Sequence, residues 1–285
     1  GAGRKQSARA PKGHPPAPKP FQEAFTHFVK ATCATGIQGL LDEFNDIKRQ
    51  TQAIGGDYIH TNWVAMDEKR KYICTQGPIV GTIDDFWRMI WQEKSKSILM
   101  LCNIVEQGKK KCEQYWPEGG EKAEAQYGPI SVKVVKSREW NKCITRSTLT
   151  LSDGSETLDV EHLQWNDWPD RGVPLDVHTC VSLITLLGKL TPTTIHCSAG
   201  IGRTGTIVGL DLMLTKMKAG QKVSLKDVVI GLRARRHGSV QMDIQYLYMH
   251  RVLLADAVQR QIVTEEEIAD FVGQYEALCK QRGFM

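Results

Sequence analysis

No stretch of this 285-residue chain reaches the ~18 consecutive apolar residues that a membrane-crossing helix needs, so no such span is expected. None of the eight cysteines stands in a C-x-x-C pair, and no His/Cys cluster has zinc-ligand spacing, which leaves a metal site without support. A signal peptide is not evident either. The cysteines therefore read as mostly buried thiols kept in a reducing compartment, and a cytoplasmic location is expected. There is no internal repeat. The first 20 residues hold no acid and no Phe, Trp or Tyr. Arg4, Lys5, Arg9, Lys12 and Lys19 in that stretch account for the whole net charge of +5, because the remaining 32 basic residues balance 32 acidic ones. A near-neutral body gives little support to a nucleic-acid partner. The chain opens on Gly1 rather than Met, as a processed or truncated piece would.

What is present organises into one domain behind a tail. Residues 1–20 are basic and Pro-rich and cannot bury enough surface to offset their ordering entropy. They are expected to be a disordered tail, with a docking partner or an anionic surface as the alternative use. Residues 21–285 have the length and the ordinary apolar content of a single large domain. Phe21, Phe25, Phe28 and Val29 fall on one helical face, and Ile37, Leu40, Leu41, Phe44 and Ile47 on a second, parted by Gly36. The apolar run within 97–105 suits a strand covered on both faces. Residues 130–134 and 147–151 alternate with period two, and 158–164 adds another strand. From Val177 the pattern turns helical over 181–187, 205–218, 224–236, 243–260 and 265–281. Ser224-x-x-Asp227 and Thr264-x-x-Glu267 mark helix starts, and Gly283 a stop. Strands first and helices later predict an α/β domain, one mixed twisted sheet flanked by helices.

The most telling stretch is His196-Cys197-Ser198-Ala199-Gly200-Ile201-Gly202-Arg203-Thr204-Gly205. A β-prone approach, Thr193-Thr194-Ile195, runs into the cysteine, and a buried-looking helix begins after the glycines. Such a strand–loop–helix turn aims backbone N–H groups and a helix N-terminus at one point, which binds an anion. Cysteines placed in such settings are held as thiolates. Arg203 adds a planar fork that matches two phosphoryl oxygens. A nucleophile, an oxyanion cradle and a bidentate cation thus share one loop, which suits covalent phosphoryl transfer with no metal or organic cofactor. Cys102 and Cys112 lack that context and read as inert buried thiols.

This loop resembles the signature of the protein tyrosine phosphatases, and further segments agree in order. They are Asp57-Tyr58-Ile59-His60-Thr61-Asn62, Tyr72 to Pro78, Asp85 to Met89, Lys111 to Pro117, Trp168-Pro169-Asp170, and Gln241 to Tyr246 after Arg233 to Val240. The resemblance covers about 21–285 and is to the non-receptor-type catalytic domain. It implies hydrolysis of phosphotyrosine in tyrosine-phosphorylated signalling proteins through a cysteinyl-phosphate. Cys197 would be the nucleophile, oriented by His196, with Ser198, Ala199, Gly200, Ile201, Gly202 and Arg203 binding the phosphate. Thr204 would help the thiolate leave in the second step. Asp170, on a lid anchored by Trp168, would be the general acid, since a tyrosine leaving group needs a proton; Asp167 is the weaker candidate. Gln241 would hold the hydrolytic water, with Gln245 as its companion. Glu106 would pair with Arg203 beside Lys111, or this charged run is only solvated. Arg233 and Arg236 read as supports for the loop. Since the acid must be protonated, partial desolvation of the lid is expected to raise its pKa.

Three features depart from the family. Met242 stands where a threonine is usual, and no K-N-R-Y segment occurs; Ile47 to Gly56 leads at once into Asp57-Tyr58. His60-Thr61 also replace the usual Asn-Ala. A strand and a recognition loop that walls the phosphotyrosine pocket are thus expected to be missing, by divergence or by a faulty or alternatively spliced gene model. That keeps two alternatives open: a catalytically weak phosphotyrosine-binding module, or a dual-specificity phosphatase.

Overall fold

A computed structural model describes residues 17–50, 61–65 and 71–284. Most of the tail, and the stretch from 51 to 60 where the recognition segment is expected to be missing, lie outside the described residues. In chain order the elements are α1 (Lys19–Gln50), β1 (Thr61–Ala65), β2 (Lys71–Gln76), α2 (Ile83–Gln92), β3 (Ser97–Met100), β4 (Val105–Glu106), β5 (Lys109–Lys110), β6 (Glu124–Tyr127), β7 (Ile130–Asn141), β8 (Ile144–Ser152), β9 (Thr157–Trp165), α3 (Thr179–Leu187), β10 (Thr193–Cys197), α4 (Gly202–Lys218), α5 (Leu225–Arg235), α6 (Asp243–Gln259) and α7 (Glu265–Gln281).

Eight strands form one mixed sheet in the order β1-β2-β10-β3-β9-β8-β7-β6, and β4 and β5 make a separate hairpin. The centre is parallel, since β10 pairs in parallel with both β2 and β3, and β3 with β9. The flanks are antiparallel. The apolar run Ser97–Met100 is buried on both faces, as a central strand must be. Ile98 and Met100 join one core cluster with Phe86, Trp87 and Ile90 of α2, whereas Leu99 joins the larger cluster made with α1 and α3–α7. Period-two alternation of β3 thus divides the interior into two layers on opposite faces of the sheet.

The two faces expected around Gly36 occur as one helix that kinks there, with φ 64 and ψ 176. Helix α1 begins at Lys19, two residues inside the expected tail. Ser224 and Thr264 cap α5 and α7 as their spacing predicts, each hydroxyl accepting from the backbone N–H three residues on. Periodicity does not mark β1, β2, α2 or β6. Among these, Glu124–Tyr127 is a short, half-exposed edge strand without a β-branched residue.

Two histidines are sealed in this interior. His162 on β9 and His250 on α6 are both buried, and burial drives each ring down to about 3. The unfolded chain takes up protons on these rings below about pH 6.5, whereas the folded chain does not until near pH 3. Stability therefore falls as pH drops through this window, by about 2 kcal/mol per histidine at pH 5. Urea unfolding at pH 7 and pH 5 should differ by about 4 kcal/mol from this pair. A difference under about 1 kcal/mol would mean that the folded rings accept protons.

Candidate active site

Strand β10 lies at the middle of the parallel region, with His196 opposite Thr75 and Met100, and Cys197 opposite Gln76. Its carboxyl end opens into the crevice where parallel sheets bind ligands. Cys197 is the last residue of that strand, and α4 starts five residues later, so the intervening loop must turn sharply. Gly200 makes this possible: its φ is +68, and a Cβ there would stand 1.9 Å from the carbonyl oxygen of Thr75. No side chain fits. The Gly200 N–H donates to Cys197 Sγ at 3.2 Å. The loop carbonyls are drawn off by Arg236, whose Nε donates to Gly200 O at 2.5 Å and Nη2 to Ala199 O at 3.2 Å, while Nη1 reaches Asn62 Oδ1 at 2.7 Å. Ser198 O accepts from Gly77 N.

His196, next to Cys197, is fully buried. Its Nδ1 lies 3.1 Å from Cys197 O, which can only accept, so this nitrogen carries the proton. In the neutral ring Nε2 then accepts from the Tyr115 hydroxyl at 2.9 Å, and the Tyr115 oxygen accepts from His162 Nε2 at 2.7 Å. A buried relay, His162 to Tyr115 to His196 to the Cys197 carbonyl, fixes the strand end. Sequence reasoning included Tyr115 in the family-like segment Lys111 to Pro117 but gave it no role, and it passed over His162 on β9.

Arg203, in the first turn of α4, is 2% exposed. Glu106, on the β4–β5 hairpin, accepts from both of its terminal nitrogens, at 2.6 Å from Nη1 and 2.9 Å from Nη2, and so sets the plane of the guanidinium. Nη1 also donates to Trp168 O at 3.0 Å, and Nη2 to Asp170 Oδ1 at 3.4 Å. Lys111, just past β5, donates to Asp170 Oδ2 at 2.6 Å. The 168–172 segment therefore lies over the cradle. Trp168 is buried against Trp165 and Tyr248, and its indole N–H donates to Gly172 O at 3.1 Å. Asp167 takes no place at the cradle; it accepts from the Trp165 indole.

The expectation of a raised Asp170 pKa is corrected here. Burial does pull the carboxyl upward and is the largest single influence. The hydrogen bond from Lys111 and the charges of Arg203, Lys111 and Arg171 together outweigh it, so the group lies below the ordinary aspartate value. The cations that hold the lid down also hold its acid ionised. A phosphoryl dianion entering beside it would push the other way.

Gln241 follows Val240, which adopts φ 59 although β-branched. Arg233 holds this strained turn by donating to Ser239 O and Val240 O, each at 2.8 Å. Gln245 Oε1 accepts from the backbone N–H of both Gln241 and Met242 at 3.1 Å, so it caps α6 and fixes the glutamine above it. Thr204 Oγ1 is buried without a hydrogen-bond partner among the described residues, and Ile201, the N-cap of α4, accepts at its carbonyl from Val240 N–H.

A cavity of about 130 Å³ is lined by Lys111, Asp170, Arg171, Cys197, Ser198, Ala199, Gly202, Arg203, Gln241 and Gln245. The structure thus gathers the sequence-predicted nucleophile, fork, acid and glutamine at one hollow. Arg171 joins it unannounced. Among the described residues no group of three or more His, Cys, Asp or Glu side chains could hold a metal ion, and no helix is long and apolar enough to cross a membrane.

The family model described as protein-tyrosine phosphatase matches residues 40–255. The tyrosine-protein phosphatase Lar-like of Caenorhabditis elegans is 41% identical over 213 residues, 72% of this chain and 9% of that protein. The human receptor-type tyrosine-protein phosphatase C is 36% identical over 208 residues, 70% of this chain and 16% of that protein. The chain therefore spans less than a fifth of the length of either relative. Among solved structures, the catalytic domain of human protein tyrosine phosphatase non-receptor type 18 superposes with TM-score 0.64 at 34% identity, covering 74% of this chain and 77% of that one. A structure of the same phosphatase with HER2 phosphopeptides gives TM-score 0.72 at 27% identity, covering 85% of this chain and 99% of that one.

Proposed function

Since the chain belongs to the protein-tyrosine phosphatase family, we propose that it hydrolyses phosphotyrosine in proteins through a cysteinyl-phosphate intermediate. The observation that carries this reading is Cys197 Sγ held by the Gly200 N–H at a cavity shared with Arg203, Asp170 and Gln241. The Cys197 thiolate attacks phosphorus while Arg203 and the amides of 198–202 take the equatorial oxygens. Asp170 gives its proton to the departing phenolate, so the P–O bond breaks as the S–P bond forms. Gln241 then positions a water, Asp170 accepts its proton, and attack on phosphorus releases inorganic phosphate. In this reading the Thr204 hydroxyl, unpartnered among the described residues, donates to the sulfur as it leaves. Charge is met by one arginine and fixed dipoles, so the scheme calls on no cofactor.

Tyrosine-phosphorylated signalling proteins in the cytoplasm are the substrates this reading favours. All eight cysteines are free thiols, as a reducing compartment keeps them, and a structural relative is seen bound to HER2 phosphopeptides. Comparing turnover of matched phosphotyrosine and phosphothreonine peptides tests the proposal. Turnover of the first alone is expected. Equal turnover of both would make the enzyme dual-specific, and binding without turnover would make it a phosphotyrosine-binding module.

Lys111 supplies a second check. It holds the Asp170 carboxyl down, so Lys111→Met lets the acid keep its proton to higher pH. The alkaline limb of kcat/KM, which reports the free enzyme, should move to higher pH. A limb that stays in place would show that Lys111 does not act on the acid.

A further inference from the structure

Helix α7 lies beyond residues 40–255, the part matched by the family model. It packs along α1 and α6 and runs back toward the cavity. Gly283, with φ 72, turns the chain, and Phe284 N–H closes that turn on Cys279 O at 2.9 Å. Arg282 Nη1 is tied to Asp243 Oδ2 at 2.9 Å, in the first turn of α6, two residues from Gln241. This arrangement lays the Phe284 ring on the lid. A Cβ built on Gly172 would stand 3.1 and 3.3 Å from Phe284 Cε1 and Cδ1, and 2.9 Å from Pro169 Cγ. Gly172 N–H in turn donates to Pro169 O at 3.1 Å, so the ring covers a closed lid turn.

From this contact we propose that Phe284 is a positioning residue for the acid: it holds the 168–172 lid down from its outer side. The proposal rests on the phosphatase reading above. The inner contacts of the lid are polar and run through Arg203 and Lys111 to Asp170. A phosphoryl dianion competes for the same Arg203 fork, so those contacts weaken as substrate enters. The apolar contact of Phe284 with Gly172 and Pro169 touches no substrate and keeps its full value then. It biases the lid toward the closed arrangement at the step where Asp170 must deliver its proton.

The test uses the full chain with Phe284→Ala and the conservative Phe284→Leu. Trypsin cleavage after the exposed Arg171 reads lid opening without any turnover, and cleavage after Lys142 in the β7–β8 turn is the control. Phe284→Ala should speed cleavage at Arg171 by roughly 3–10-fold, as a shifted two-state lid would, and leave Lys142 unchanged. With phenyl phosphate, whose leaving group needs the acid, kcat should fall by a similar roughly 3–10-fold. With 2,4-dinitrophenyl phosphate it should hardly change, and Phe284→Leu should restore most of both effects. Unchanged cleavage at Arg171, or equal losses on both esters with faster cleavage at Lys142, would overturn the proposal. If the wild-type chain turns over neither ester, the phosphatase reading fails, while the cleavage ratio still decides the role of Phe284.

Discussion

Cys197→Ser is expected to abolish turnover of phosphotyrosine and to leave phosphopeptide binding within a few-fold of the wild-type affinity. A serine hydroxyl stays protonated near neutrality and is a far poorer nucleophile than a thiolate, so no covalent intermediate forms. The cradle does not depend on the sulfur. Gly200 is fixed by its left-handed backbone and by Arg236, and the Arg203 fork is held by Glu106. Single-turnover assays and titration with a labelled phosphopeptide separate the two effects. Residual turnover near wild type would remove Cys197 from the chemistry, and loss of binding together with turnover would mean that the sulfur also shapes the loop.

Asp170→Ala should lower turnover of phosphotyrosine by ~10²–10⁴, the range for a lost acid–base group. Esters with strongly acidic leaving groups should lose much less, because their oxygen departs without a proton. Removing this carboxylate also frees Lys111 and one contact of Arg203, so substrate binding should hold or tighten while kcat falls. Asp170→Asn should flatten the alkaline limb of the pH profile. In the free chain the acid lies below the ordinary aspartate value, so its proton is present only toward acid pH until the bound dianion raises it. An equal loss across all leaving groups, with the alkaline limb intact, would reassign Asp170 to a structural role.

Much of the site was legible in the sequence because it is contiguous. A β-prone run, a cysteine, two glycines and an arginine within ten residues specify a strand end, a tight loop and a helix start, and local backbone sterics leave few other ways to fold them. The same holds for the capped starts of α5 and α7, whose hydrogen bonds span three residues, and for the period-two strands β7 and β8. What only the tertiary structure decided are the meetings across long loops. Glu106 reaches Arg203 across 97 positions, and Lys111 reaches Asp170 across 59. These pairs exist because β3 lies between β10 and β9 and runs parallel to both, bringing the β4–β5 hairpin, the lid and the start of α4 to the same sheet end. The relay from His162 through Tyr115 and the seat of Phe284 on Gly172 have the same origin. The direction of the Asp170 shift is the sharpest case. Burial alone points upward, and only the count of cations within reach reverses it. Residue type and spacing fix which groups can react; sheet order fixes which charges surround them, because electrostatic neighbours are set by distance in space and not along the chain.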